Sequence, residues 1–297
     1  MLKLHPVAHD CANSAILVSG SARSGTTIVG KLIHSFSTVE YVFEPPALIA
    51  LFPLMGAMPR EQWNYLYEAY LYEEFLINAV SGRAINTNRA DDSSIFKSKD
   101  EWEIASRLDR SWPKSESTRL AASCRAAYKI PNIVAYVPEL CCRYPGMSVI
   151  MMVRNAVETI HSLMAKHVFT PDHPSAMQPW PFRIVENERI PYWVRLGDEK
   201  LWKELSEIDR CAYYYIRMNE NLEVSSRQFV LKYSELVKSP LVVSHKLADF
   251  LGLSFGKCTD GIIDSIKPSW KVLDTGVIAS ISDTFRCQVI ECSERSE

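Results

Sequence analysis

The chain has 297 residues, 47% of them hydrophobic, which is enough apolar material for a large core. The formal net charge of −2 and the pI of about 6.4 argue against nucleic acid or an anionic membrane surface as a partner. The longest apolar runs are only as long as strands, so we expect no transmembrane helix. The eight cysteines follow no disulfide or metal-ligand spacing, and we therefore expect a cytoplasmic protein without a metal site.

Short apolar runs alternate with segments of helical spacing along the chain. The runs predicted as strands are Ala15–Val18, Val39–Phe43, Ala127–Ile130, Ser148–Val153 and Phe229–Tyr233. The main predicted helices are Thr26–Phe36, Arg60–Val80, Trp202–Leu222 and Pro240–Leu251. This alternation favours an α/β fold with a central parallel sheet flanked by helices. We predict a single domain over residues 1–297.

Two stretches show no clear periodic pattern. Residues 81–117 are polar and irregular, and residues 168–197 hold five prolines among several aromatic side chains. Long loops of this kind are often lids or binding segments. We therefore predict that 81–117 and 168–198 act as lids or help to bind an acceptor.

The segment between the first strand and the first helix has the composition of a phosphate-binding loop. A strand, a small-residue turn and a helix together direct backbone N–H groups and the positive helix end toward a phosphate. Gly20 and Gly25 have the spacing of the Walker P-loop, but Thr26 stands where that loop has its Lys. The missing Lys favours a phosphate-bearing donor other than a nucleoside triphosphate. A P-loop kinase that uses MgATP remains an alternative.

A second candidate site follows the strand Ser148–Val153. Arg154 ends this strand, and Ser162 lies eight residues further on, two turns into the next helix. A guanidinium fork matches phosphate oxygens, and a hydroxyl can donate one more hydrogen bond. Asn155 and Glu158 have the spacing of a capping box for that helix. Taken alone, Arg154 is better explained by a structural ion pair at a strand end, but together with the first loop the pattern favours phosphate binding.

These two motifs resemble those of the sulfotransferases that use 3′-phosphoadenosine 5′-phosphosulfate (PAPS). Residues 22–27 read Ala-Arg-Ser-Gly-Thr-Thr, and the family loop reads Pro-(Arg/Lys)-Ser-Gly-Thr-Thr. Residues 128–132 and 231–236 resemble two further family segments, Glu-Lys-Thr-Pro and Arg-Tyr-Glu-Asp-Leu, in the family's order. Ala22 replaces the loop proline, and Asn155-Ala156 replaces the family's Asp-Pro. The resemblance implies a P-loop-type α/β fold, PAPS as the donor and no metal.

The resemblance also assigns binding roles to individual residues. It implies that the 5′-phosphosulfate is held by Arg23, Ser24, Gly25, Thr26 and Thr27. Arg154 and Ser162 would hold the 3′-phosphate, and Tyr233 would reach the nucleotide or serve as a core residue at a strand end.

Three residues are expected to carry the chemistry. Arg23 would neutralise the charge that develops on the bridging oxygen, and Lys129 would add a second cation there. Glu44, at the end of the second strand, corresponds to the general base of the tyrosylprotein enzymes. His161, next to Ser162, is the alternative base.

The acceptor is the part that the sequence defines least. Trp180, Trp193 and Tyr213–Tyr215 could line a cation–π pocket or simply belong to the core, and loop acids such as Asp198 would suit a cationic acceptor. We predict a small polar acceptor sulfated on a hydroxyl or on an amide or amine nitrogen. A guanidinium alkaloid of the saxitoxin type, in bacterial natural-product tailoring, is one example, and hydrophobic alcohols, phenols and sugars remain alternatives. A non-catalytic nucleotide-binding protein of the same fold is the remaining alternative.

Overall fold

The computed structural model describes residues 4–91, 93–170, 181–220, 227–267 and 276–296. Its strands are β1 (Ile16–Gly20), β2 (Val39–Phe43), β3 (Arg125–Lys129), β4 (Ser148–Val153), β5 (Phe182–Val185), β6 (Glu188–Pro191) and β7 (Gln228–Lys232). Five of these strands form a parallel sheet in the order β2-β3-β1-β4-β7, while β5 and β6 form a separate antiparallel hairpin. The predicted α/β class and central parallel sheet are confirmed.

Helices connect the strands of the sheet. The α-helices of the described residues are α1 (Pro6–Asn13), α2 (Thr26–His34), α3 (Pro46–Leu51), α4 (Arg60–Ala69), α5 (Ile77–Val80), α6 (Glu101–Leu108), α7 (Lys114–Ala122), α8 (Val137–Arg143), α9 (Ala156–Met164), α10 (Glu199–Glu204), α11 (Glu207–Asn219), α12 (Tyr233–Lys238), α13 (Pro240–Leu251), α14 (Thr259–Ser265), α15 (Gly276–Ala279) and α16 (Asp283–Ser296). None of the helices in these ranges combines the length and the apolar character needed to cross a bilayer.

The sheet is buried on both faces because successive strand residues point to opposite sides. Ile16 and Val18 of β1 belong to a core shared with α2 and α13, whereas Leu17 belongs to a larger core shared with α1, α9 and α11. All three side chains are fully buried. Strands covered on both faces appear in sequence as continuous apolar runs, and this is why β1 and β4 could be predicted.

The predicted helix Arg60–Val80 is present but not uniform. It consists of α4, a π-helical segment at Tyr70–Leu76, and α5. A wider π-turn rotates the helix face relative to a regular α-helix. Both Tyr67 before the widened segment and Phe75 within it are buried in the larger core.

The structure corrects three sequence predictions. Residues 81–117 are not irregular throughout, because α6 and the start of α7 lie within them. The predicted helix Trp202–Leu222 is divided between α10 and α11, where Leu205 is extended and Ser206 caps α11 through the backbone N–H of Asp209. Within 168–198, β5 and β6 form a hairpin that was not predicted, and 171–180 lies outside the described residues.

A buried ion pair joins α6 to the edge strand β2. Both carboxylate oxygens of Glu40 accept hydrogen bonds from the Arg107 guanidinium, at 2.7 and 2.8 Å, and Glu103 is a further partner at 2.5 Å. The Glu40 and Arg107 side chains are 3% and 8% exposed. Burial disfavours the charge on Arg107, but hydrogen bonds to the two carboxylates outweigh this effect and raise its pKa.

Loss of the Glu40 charge should therefore strongly destabilise the fold. We expect Glu40→Gln to lower the free energy of unfolding by about 3 kcal/mol, the lower end of the range for a broken buried pair, because the buried guanidinium keeps only the partly exposed Glu103 as a carboxylate partner. The matched control is Glu116→Gln, which removes the carboxylate of a partly exposed pair with Arg110 at 2.6 Å. That change should cost at most about 1 kcal/mol. Equal losses of unfolding free energy for the two variants in urea denaturation would contradict the stronger stabilising role assigned to the buried pair.

Candidate active site

The carboxyl ends of the parallel strands meet at one edge of the sheet, and the predicted site residues follow these ends. Phe43 of β2 is paired with Lys129 of β3, so Glu44 emerges beside Lys129. Val153 of β4 is paired with Lys232 of β7, so the next residues, Arg154 and Tyr233, also emerge side by side. Such an edge is where ligands bind in open α/β sheets.

The loop between β1 and α2 depends on two glycines. Gly20 has φ +133°, and a Cβ atom there would lie 2.3 Å from the carbonyl oxygen of Met152 on β4. Gly25 has φ +99°, and a Cβ atom there would lie 2.6 Å from the Tyr233 ring. Both positions therefore require a residue without a side chain. They let the loop pack closely against β4 and α12 before α2 begins at Thr26.

The loop and the second motif contact each other through two arginines. Nη1 of Arg154 donates to the carbonyl oxygen of Arg23 at 3.0 Å, and Nε of Arg23 donates to Oγ of Ser162 at 3.0 Å. The Arg154 guanidinium also lies over the Tyr233 ring, 4.2 Å from its centroid. The residues predicted for the 5′- and 3′-phosphates thus form one continuous cluster.

Arg154 is held in place by residues of two neighbouring helices, α9 and α11. Its Nε donates to the Glu158 carboxylate at 2.7 Å, and its carbonyl oxygen accepts a hydrogen bond from the Tyr215 hydroxyl at 3.0 Å. The predicted cap is present, since Asn155 Oδ1 accepts from the Glu158 N–H at 2.9 Å. In a complete capping box the Glu158 carboxylate would bind back to the N-cap residue, but here this carboxylate binds Arg154 instead. The strand-end ion pair considered from sequence therefore exists together with the contact to the loop.

Glu44 and Lys129 form a hydrogen-bonded ion pair. The Lys129 side chain is 5% exposed and the Glu44 side chain 24% exposed, and the Lys129 ammonium lies 4.2 Å from the centroid of the Phe43 ring. Burial lowers the pKa of Lys129, Glu44 opposes this shift, and the nearby Arg23 adds to it. Among the described residues, the cluster therefore combines the cations Arg23, Lys129 and Arg154 with the carboxylates Glu44 and Glu158.

Several other sequence candidates in the described residues form no side-chain hydrogen bond or ion pair with this cluster. His161 is half-buried on α9, and within the described residues it makes no side-chain hydrogen bond or ion pair. Trp193 is 7% exposed and packs against Trp202 and Tyr214, so it belongs to the core. Asp198 accepts a hydrogen bond from the Tyr213 hydroxyl at 2.7 Å, while Trp180 lies outside the described residues.

Sequence reasoning considered Tyr214 only as a pocket or core residue and missed that Tyr214 and Asn132 hold the loop. The Tyr214 hydroxyl accepts a hydrogen bond from the backbone N–H of Ala22 at 2.5 Å and donates to the side-chain oxygen of Asn132. Ala22 and Tyr214 are 192 positions apart, so no local pattern indicates their contact. Within the described residues, no group of three or more His, Cys, Asp or Glu side chains is arranged to hold a metal ion.

The fold and the cluster define an α/β protein with a glycine-containing loop and paired arginines at the carboxyl edge of a parallel sheet. A family model described as the sulfotransferase family matches residues 15–257. The chain belongs to this family. No curated protein matches the chain.

Solved structures of bacterial sulfotransferases are similar to this chain. A sulfotransferase domain from the Synechococcus PCC 7002 olefin synthase is 14% identical, with 95% of this chain and 93% of that chain covered and a TM-score of 0.45. A sulfotransferase from Mycobacterium tuberculosis is 14% identical, with 98% and 79% covered and a TM-score of 0.44. A sulfotransferase domain from the curacin biosynthetic pathway is 15% identical, with 95% and 96% covered and a TM-score of 0.42.

Removing one partner of the ion pair between Glu44 and Lys129 should destabilise the protein, because the other charge stays buried. We expect Glu44→Gln to lower the free energy of unfolding by about 1–3 kcal/mol, which is less than for a fully buried pair because Glu44 is partly exposed. Adding Lys129→Met should recover at least half of this loss. Urea denaturation at pH 7 measures both effects, and a double variant less stable than Glu44→Gln would refute the explanation.

Proposed function

We propose that this chain transfers the sulfuryl group of PAPS to a hydroxyl, or to an amide or amine nitrogen, of a small polar acceptor. The observation that carries the proposal is the contact between Arg154, Arg23 and Ser162. The contact between Arg154 and Arg23 joins residues 131 positions apart, and the contact between Arg23 and Ser162 joins residues 139 positions apart. The two predicted phosphate-binding motifs therefore lie together at one edge of the sheet. Membership in the sulfotransferase family supports the same reaction class.

The residues present fit a donor with two phosphate groups. Arg154 binds its protein partners through Nε and Nη1. A guanidinium has five N–H groups in all, so others can bind a phosphate. The Ser21 hydroxyl in the loop is buried and has no hydrogen-bond partner among the described residues. The glycines allow close approach of a ligand to the loop backbone, and α2 directs its N-terminus to the same place.

The proposed binding roles follow the two halves of the cluster. Arg23, Ser24, Gly25, Thr26 and Thr27 would hold the 5′-phosphosulfate, and Arg154 and Ser162 the 3′-phosphate. When bound, PAPS supplies the sulfuryl group and leaves as 3′-phosphoadenosine 5′-phosphate (PAP). The Tyr233 ring packs against Gly25 and Arg154 and so stabilises both halves of the cluster.

Glu44 is the proposed general base. Its carboxylate is partly exposed and lies at the carboxyl edge of the sheet, where it can accept a proton from an acceptor group. Once Glu44 is protonated, Lys129 has lost its counter-charge. Its ammonium can then stabilise negative charge that develops at the transferred group, together with Arg23.

The acceptor and the domain organisation are also proposed. We infer a small-molecule acceptor, for which a guanidinium alkaloid remains one example, although Asp198 is already bonded to Tyr213.

Residues 1–297 are proposed to form a single domain, because two cores cover the faces of one sheet. Segments 81–117 and 168–198 are proposed to contribute to the acceptor side.

Calorimetric titration distinguishes the candidate functions. We expect the purified chain to bind PAP without metal and to bind ATP with magnesium much more weakly. Preference for MgATP would instead support the P-loop kinase. Binding of PAP without turnover across a panel of hydroxyl and amine acceptors would support a non-catalytic nucleotide-binding protein. No binding of either nucleotide would refute the proposal.

Arg154→Ala should weaken PAP binding by about 1.5–3 kcal/mol, the range for hydrogen bonds to a charged group. Arg143 offers a matched control, because it also pairs with a Glu four residues away, at 2.8 Å, and also lies over an aromatic ring. Arg143→Ala should leave the Kd for PAP within about twofold of the original value. Equal losses for the two variants would place the 3′-phosphate elsewhere.

Glu44→Gln should lower kcat by about 100-fold or more, because general-base catalysis contributes at least that factor. Transfer from radiolabelled PAPS to an accepted substrate measures this, and the Kd for PAP should change by less than about threefold. His161→Asn is the comparison variant, and its kcat should stay close to the original value. A large loss in His161→Asn with a small one in Glu44→Gln would reassign the base.

A further inference from the structure

The Tyr214 hydroxyl lies where the loop, the end of β3 and α11 meet. Its side chain is fully buried. The Ala22 N–H can only donate, so the hydroxyl oxygen accepts that bond, at 2.5 Å, and the hydroxyl proton goes to Asn132 Oδ1. Burial raises the pKa of Tyr214, which keeps this proton in place.

Asn132 connects the same hydroxyl to the start of the loop. Asn132 has φ +69°, a left-handed conformation that Asn tolerates better than most residues. Its N–H donates to the Gly20 carbonyl at 3.2 Å, and its own carbonyl accepts from the Tyr192 hydroxyl at 3.0 Å. The peptide groups of Gly20 and Ala22 are therefore both tied to one small network built from α11 and the end of β3.

We propose that Tyr214 is a positioning residue that fixes the loop in the conformation that binds the 5′-phosphate end of the donor. It acts through Ala22, the residue immediately before Arg23, and does not itself touch the donor. This rests on the proposed function, since it assigns the loop to that phosphate. Ala22 supplies the N–H that makes the contact, which a proline could not do.

A purely structural role would predict a different outcome, and Tyr213 allows the two roles to be separated. The neighbouring Tyr213 hydroxyl makes the same kind of contacts: it accepts from the Arg195 N–H at 3.1 Å and donates to the Asp198 carboxylate at 2.7 Å. Its side chain is also buried, at 5% exposed. Its partners lie outside the loop. Tyr213→Phe is therefore a matched control for Tyr214→Phe.

Titration of the full chain with PAP tests the proposal. We expect Tyr214→Phe, which removes both hydrogen bonds of the hydroxyl, to raise the Kd for PAP about fivefold, the effect of losing the one that holds Ala22. Tyr213→Phe should change the Kd by less than about twofold at a similar loss of melting temperature. An unchanged Kd in Tyr214→Phe, or equal increases in both variants, would overturn the proposal. Failure of the unaltered protein to bind PAP would instead refute the proposed function.

The substitution Ala22→Pro provides a second test, because it removes the donor of the same hydrogen bond. Tyr214→Phe and Ala22→Pro should be coupled, so that the double variant has a smaller Kd increase than the product of the two single increases. Simple multiplication of the two effects would show that the hydroxyl does not act through Ala22. Melting temperatures of all four proteins confirm that each is folded at the titration temperature.

Discussion

The pairing of β1 with β4 is the constraint on which the candidate site depends. Gly20 is aligned with Met152, and no side chain at Gly20 could fit against the Met152 carbonyl. This close approach sets where the loop leaves the sheet, and it places Arg154, two residues after Met152, beside the Arg23 carbonyl. A slip of one residue in this register would turn the strand side chains to the opposite face and separate the two arginines.

The charges at this edge are oriented by contacts within the protein. Arg154 is oriented by Glu158, and Lys129 by Glu44. Arg23, Arg154 and Lys129 together exceed these two carboxylates by one positive charge. Under the proposed function, groups oriented in this way would need little rearrangement during the reaction, and such preorganisation is a major source of catalytic power.

Local sequence patterns were sufficient to predict much of the fold. Val39–Phe43 and Ser148–Val153 were predicted with their observed bounds, because apolar residues fill them almost continuously. The hairpin of β5 and β6 was missed because its prolines and polar residues hide a short alternating pattern. The ion pair of Glu44 with Lys129 and the contact of Tyr214 with Ala22 join distant segments, so sequence spacing contains no signal for them.

Three non-glycine residues at this edge, Arg23, Glu44 and Asn132, have φ values of +70°, +43° and +69°. Side chains in this region are unfavourable by roughly 1–3 kcal/mol each where the residue is not suited to it, and glycine would remove most of that cost. These three positions therefore keep functional side chains although a glycine there would carry less backbone strain. A search for thermostable variants would recover Gly at Arg23 but not at Glu44, where Gly would also remove the counter-charge of the buried Lys129. Under the proposed function, a selection for turnover would reject Gly at Arg23.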